Sequence, residues 1–495
     1  MQTPFLTRWV AIIAAGYVLF IFSSSGRGLV GPDEPRYASI AREMARSGDW
    51  ITPRLDGEPW FEKPALLYWL GAAAHAVGVE GDLATRLPVS LLSIGFLIFF
   101  HWRLWRLFGL LEADYATAIL ATSAGWTAFS QAGIFDLPLA ASLGAALFFL
   151  LPWAGNRDEA GARSGLPLLG ALLGVSALAK GLTGPALAAL AVLPVCFRHG
   201  LKVVAKDLFH PRVLGAFLVV AAPWYWLCTA ENGWAFLADF FGTHHFSRFF
   251  SESLQHVQPT WFFIPVLLIG FLPWTPLLAL YPNEEMRRDP KVRFLLGWAL
   301  TTLVFFSFST NKVASYILPA LPPLAALVGI RLARVKTASL LLAGAGLLLL
   351  LVPLAEALLP VALAHGLRKA WPPEIIAWLW TIPLVAAAGA SAWLDRIGRR
   401  GAAIALLAAC TIASLVHLKV SAFPALDAQA GTRSLWREVE PHLAEACIGD
   451  VRRHVAYGLA YYSDSRLREC SSNPQPYRVE SDPPRLDRPV MERLP

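Results

Sequence analysis

The chain has 495 residues, 56% hydrophobic and only 16% charged, with a net charge of +7 and a mean hydropathy of +0.50. That balance excludes a soluble globule with a polar shell, a disordered chain and a disulfide-built scaffold. Apolar runs of about 20 residues, the length that crosses a bilayer, recur up to roughly residue 419. The pattern predicts an all-α polytopic membrane protein with thirteen spans, near 8–30, 86–108, 113–131, 136–153, 165–179, 182–197, 211–229, 260–279, 291–308, 315–331, 338–361, 373–394 and 401–419. A short polar tail, 420–495, follows as a small α/β domain.

The basic charge has an explanation other than nucleic acid. With a cytoplasmic N-terminus, nineteen Lys and Arg, from Arg8 to Arg400, fall in or beside the cytoplasmic loops. The short loops on the other side hold five, Lys180, Arg248, Lys312, Arg368 and Lys369. This is the positive-inside asymmetry of an inner-membrane protein, and an odd number of crossings puts the tail outside. The Ser23-Ser24-Ser25 run would also suit a signal-peptide cleavage point, but the segment that follows reads as anchored to this first span.

Residues 31–85 form the longest segment between spans. Two amphipathic helices are readable there. The first starts with Asp33 or Glu34 as cap and Pro35 in its first turn, puts Tyr37, Ile40, Ala41 and Met44 on one face, and stops at Gly48. The second follows Pro64 and is apolar almost all round through Leu66, Leu67, Tyr68, Trp69 and Leu70, as suits a helix at the headgroup level. Between them, Trp60-Phe61-Glu62-Lys63-Pro64 holds an acid and a base among rigid neighbours. An interfacial salt bridge is the plain reading of Glu62 and Lys63, as an N-cap is of Asp33.

The later outside loops are short and carry ionisable groups in apolar surroundings. They are Ala132–Pro138 with Asp136, Leu178–Leu182 with Lys180, Thr243–Phe249 with His244, His245 and Arg248, and Thr310–Pro319 with Lys312 and Tyr316. Ionisable side chains at membrane depth are expensive unless paired or solvated, so they mark candidate function. Lys63, Lys180, Arg248 and Lys312 together suit a phosphate, although each alone could be a snorkelling helix-end residue. Cys196, Cys228 and Cys410 fall in spans; Cys447 and Cys470 both fall in the tail, where an oxidising compartment would allow a disulfide.

These residues carry a resemblance. The stretch Asp33–Arg86, with DE-x-R-Y, GDW-x-x-P, FEKP-x-L-x-YW and A-x-RLP, resembles the aminoarabinose transferases and protein mannosyltransferase-like glycosyltransferases, GT-C fold enzymes that use polyprenyl-phosphate sugars. Asp136, Ala179-Lys180-Gly181, His245 to Phe249, and Lys312 to Pro319 extend the match over about the first 420 residues. The resemblance implies a GT-C transmembrane domain over 1–419, with Asp33 as catalytic carboxylate and Asp136 as a second acid. It implies donor-phosphate contacts from Lys63, Lys180, Arg248, Lys312, Tyr316, Arg36 and Tyr37, and an acceptor or lipid pocket at Trp60 and Tyr68. Glu62 and His245, with His244 as a further ligand, match positions for a divalent metal such as zinc or manganese. Trp60 stands where aminoarabinose transferases usually show Tyr, and His244 where many relatives have an acid.

A sugar on polyprenyl phosphate brings its own leaving group, so no nucleotide is expected. The protein has to stabilise the departing phosphate and hold an acceptor hydroxyl behind the anomeric carbon, with a carboxylate to take its proton. Direct displacement would invert the anomeric centre. The expected partners are the lipid-linked sugar, a lipid (lipid A-like), glycan or protein acceptor, and membrane lipids, with no nucleic acid and a monomeric protein. The alternative is a secondary transporter or flippase of an anionic lipid; such proteins place ionisable groups near the midplane in repeated halves, whereas these charges cluster at the outer helix ends.

Overall fold

The computed structural model describes residues 3–158, 161–247, 257–365, 381–472, 475–481 and 484–487. Helices lie on every expected span, and nine among the described residues are long and apolar enough to cross a bilayer. The helix Asp136–Gly155 is the most enclosed of them, and its Phe148 packs edge-on against Trp298, both with exposures near zero.

Several spans differ from the sequence expectation; that near 211–229 runs on to Leu237 and that near 260–279 is α-helical only over Phe263–Gly270. The first is helical over Thr3–Gly16 and π-helical over Tyr17–Ile21, then ends, short of residue 30. Its exit is set by Arg86, which draws the carbonyls of Ser24, Arg27 and Gly28 around its guanidinium. The third breaks into Leu110–Thr122 and Ala124–Ser130 at extended Ser123. There the Ala124 N–H turns to the Leu272 carbonyl, and Gly125 lies so close to Gly270 that an added Cβ would meet its backbone at 3.1 Å. The last helix runs over Arg400–Ala430, well past residue 419.

The first loop folds as its sequence suggests. Its first helix is Asp33–Ser47, buries Tyr37, Ile40, Ala41 and Met44, and ends at Gly48, whose φ of +72° only glycine adopts cheaply. Neither acid caps it: Pro32 is the N-cap and no side-chain capping bond forms. The second helix, Leu66–Ala76, buries Leu67, Tyr68 and Ala72.

Glu34 instead ties the loop down. Its Oε1 accepts from Arg86 Nε and the Gly133 N–H, both at 2.9 Å, and its Oε2 from Arg86 at 2.7 Å, Val30 N at 3.0 Å and Arg27 at 3.4 Å. Burial alone would raise its pKa, but the charges of Arg86 and Arg27 outweigh it and hold the carboxyl at about 2. One buried cluster thus joins the end of the first span, the start of the second and the 132–138 turn.

After the last helix come two short helices, Thr432–Val439 and Arg453–Ser463, and a three-stranded sheet. Strand Ala446–Ile448 pairs in parallel with Tyr477–Ser481, which pairs antiparallel with Pro484–Asp487. A Cys447–Cys470 disulfide staples the unit. The unit rests on the first loop: Tyr462 donates to Asp82 at 2.9 Å and accepts from the Leu29 N–H at 3.0 Å, and Arg433 bridges Asp82 and Asp427.

Candidate active site

The first loop helix, the 132–138 turn, the end of the helix Leu166–Lys180 and the 309–316 segment converge at one end of the bundle around a cavity of about 220 Å³. Asp33, Tyr37, Glu62, Lys63, Asp136, Lys180 and Tyr316 all line it, against a wall of Phe129, Ile134, Phe135, Phe305 and Phe306. Seven residues singled out from four separate stretches of sequence therefore share one aromatic-walled space.

Two charge networks organise it. Arg36 donates to Asp33 Oδ1 at 2.6 Å and meets Glu62 Oε2 at 3.0 Å, while Lys63 donates to Glu62 Oε1 at 2.9 Å. Asp33 remains half exposed, whereas Glu62 is buried. Burial, then Glu62 and Asp33, push the Tyr37 hydroxyl well above its ordinary pKa, so it stays a neutral donor and acceptor. On the Arg36 guanidinium, burial works against the charge but is overcome by Tyr37, Glu62 and Asp33, and its pKa rises. Across the cavity Lys180 donates to Asp136 Oδ1 at 2.6 Å and its Nζ lies 4.4 Å from the centre of the Tyr316 ring. Asp136 opens one helix and Lys180 closes the next, so the ion pair fixes two helix ends.

The remaining sequence candidates fall elsewhere. Lys312 is buried behind the lining and gives its ammonium to the carbonyls of Ser309 and Gln258, so it holds the 309–316 segment in shape and leaves the phosphate expectation unsupported. Its seat among carbonyls needs tertiary contacts that a lone Lys in a loop does not reveal. Tyr68 sits behind the lining with its ring 5.2 Å from Phe135, and Trp60 lies 5.4 Å from the Arg36 guanidinium. The side chains of His244, His245 and Arg248 lie outside the described residues.

The metal expectation finds no support. Each Glu62 oxygen faces a cation, Lys63 or Arg36, and a divalent ion there would sit beside two positive charges. Among the described residues no group of three or more His, Cys, Asp and Glu side chains assembles.

Sequence reasoning missed Glu34 as the anchor of the loop; the signal was there, since Glu34 and Arg86 open and close the same motif-rich stretch. It also missed Ser309 and Asn311, which line the cavity beside Tyr316.

A multi-helix membrane fold with paired carboxylates and lysines in one cavity at the end of the bundle fits a glycosyltransferase of the GT-C class, and the comparisons with known proteins show that class. The dolichyl-phosphate-mannose-protein mannosyltransferase family matches residues 6–233. The undecaprenyl phosphate-alpha-4-amino-4-deoxy-L-arabinose arabinosyl transferase of Pseudomonas paraeruginosa is 34% identical over 455 residues, covering 88% of this chain and 79% of that protein. The protein of the same name from Pseudomonas aeruginosa is 32% identical, with 92% and 88% covered. The crystal structure of ArnT from Cupriavidus metallidurans bound to undecaprenyl phosphate superposes with a TM-score of 0.75 at 25% identity, over 94% of this chain and 86% of that one. The chain belongs to the family of these arabinosyl transferases, and it is a multi-pass bacterial membrane glycosyltransferase.

Proposed function

We propose that the cavity takes undecaprenyl-phosphate-linked 4-amino-4-deoxy-L-arabinose, or a closely similar sugar, and passes it to a lipid A-like acceptor on the periplasmic side. The carrying observation is that Lys63 and Lys180 line the same cavity as Asp33 and Asp136. The names of the relatives, and the undecaprenyl phosphate bound to the similar ArnT, support the donor. Trp60, in place of the Tyr usual among aminoarabinose transferases, is the reason to keep the sugar open to close analogues.

In this reading Lys63 and Lys180 take the donor phosphate, with Arg248 as a third cation, and they stabilise it as it leaves. The bond between the anomeric carbon and the phosphate oxygen breaks and its electron pair stays on the phosphate. The acceptor oxygen attacks from the opposite face, inverting the centre, and its proton passes to Asp33. Arg36 holds Asp33 Oδ1 and leaves Oδ2 for that proton. Asp136, held by Lys180, orients the acceptor. An acceptor phosphate is already ionised, and for it the base matters less.

The test is transfer by purified protein, read by mass spectrometry of the lipid product. Transfer from the undecaprenyl-phosphate donor without added nucleotide supports the reading. Transfer from a nucleotide sugar alone overturns it.

A further inference from the structure

The C-terminal unit does more than rest on the first loop. Its helix Arg453–Ser463 brings Tyr457 to the Arg36 guanidinium, 5.5 Å from Arg36 Cζ to the ring centre. Trp60 and Tyr37, both from the first loop, lie at 5.4 and 5.2 Å. Arg36 bonds Asp33 and Tyr37 and pairs with Glu62 through a single terminal nitrogen, Nη2. Its Nε is buried with no hydrogen-bond partner among the described residues. A guanidinium held at one nitrogen can swing about it, so its plane is set by the rings packed on it.

The helix is docked firmly enough to act this way. Asp464, just past its end, pairs with Arg42 at 3.0 Å and with Arg46, Arg42 lies 4.5 Å from the Tyr461 ring, and Tyr462 holds Asp82 and Leu29. Tyr457 itself is half-buried against the main core.

We infer that Tyr457 is a positioning residue for the transfer: the C-terminal unit reaches into the site, fixes the plane of Arg36, and so aims Asp33. This rests on Asp33 acting as the base. Loss of the ring should loosen Asp33 directly and reach the phosphate-binding Lys63 only at second hand, through Glu62. Its signature is therefore in kcat far more than in the KM for the lipid donor.

The experiment measures kcat and donor KM for Tyr457→Ala, Tyr457→Phe and Tyr457→Leu in the purified full-length protein, with Asp33→Asn in the same assay. Tyr457→Ala is expected to lower kcat by about five- to tenfold, the scale of one partly buried cation–π contact, with donor KM within about twofold. Tyr457→Phe, which keeps the ring, should restore kcat. Tyr457→Leu keeps apolar bulk but not the ring, and should share the Ala defect in a preparation whose melting temperature matches wild type, even where Ala is poorly folded. Wild-type kcat in both Ala and Leu, a Phe variant as slow as Leu, or a change confined to donor KM would overturn the inference. If Asp33→Asn is inactive while Tyr457→Leu is normal, this inference alone fails; if Asp33→Asn is active, the reading of Asp33 fails with it.

Discussion

Lys63 and Glu62 show how one residue pair changes meaning with context. As neighbours in sequence they read equally well as a surface salt bridge, which is worth little in water. Here Glu62 is buried and shared with Arg36, so Lys63 is held at the cavity edge by an acid that is itself balanced. Replacing Lys63 or Lys180 by Ala should raise donor KM by about ten- to a hundredfold, the scale of a lost charge-assisted hydrogen bond of roughly 1.5–3 kcal/mol. Steady-state kinetics against the lipid donor check it, and an unchanged KM would return these lysines to a structural role. Glu34 offers a second test. Glu34→Gln should cost about 3 kcal/mol, since it leaves Arg86 and Arg27 buried without their counter-charge. The folded pKa of about 2 lies below the ordinary 4.5. The carboxylate's contribution is therefore complete above pH 4.5 and fades as the pH falls toward 2. Thermal melts of wild type and variant should differ most at neutral pH and converge on acidification.

At the level of elements, the legible parts were those with local causes. The first loop helix could be read from Asp33 to Gly48 because its apolar stripe and its terminal glycine are local signals. Asp136 and Lys180 could be found because charges at apolar helix ends are rare and costly. The break at Ser123 could not, because it depends on Gly125 meeting Gly270 far along the chain. The same holds for Tyr457 and Lys312, whose roles come from contacts hundreds of residues or a whole loop away. Docking of the tail is likewise non-local, and the Tyr462 hydroxyl carries two of its hydrogen bonds. Tyr462→Phe should strand the Leu29 N–H and remove a partner from buried Asp82, costing about 1–3 kcal/mol. Limited proteolysis should then release the tail faster than in wild type, and an unchanged rate would place the docking energy in the Arg433 bridges instead.

For the whole molecule, the contact between tail and first loop puts both on one side of the bilayer, which an even number of crossings between them requires. Together with the concentration of Lys and Arg in the opposite loops, this predicts a cavity on the periplasmic side. An impermeant maleimide should label Ala444→Cys, at an exposed tail position, in intact spheroplasts, and Lys202→Cys only after permeabilisation. The reverse pattern would invert the topology. The central claim, however, is catalytic: one carboxylate, oriented by Arg36, drives transfer of a lipid-linked sugar. The most direct measurement is acceptor-dependent release of undecaprenyl phosphate by the purified, folded Asp33→Asn variant beside wild type. A loss of about a hundredfold or more in kcat, with donor affinity retained, is the predicted result; near-normal turnover would contradict it.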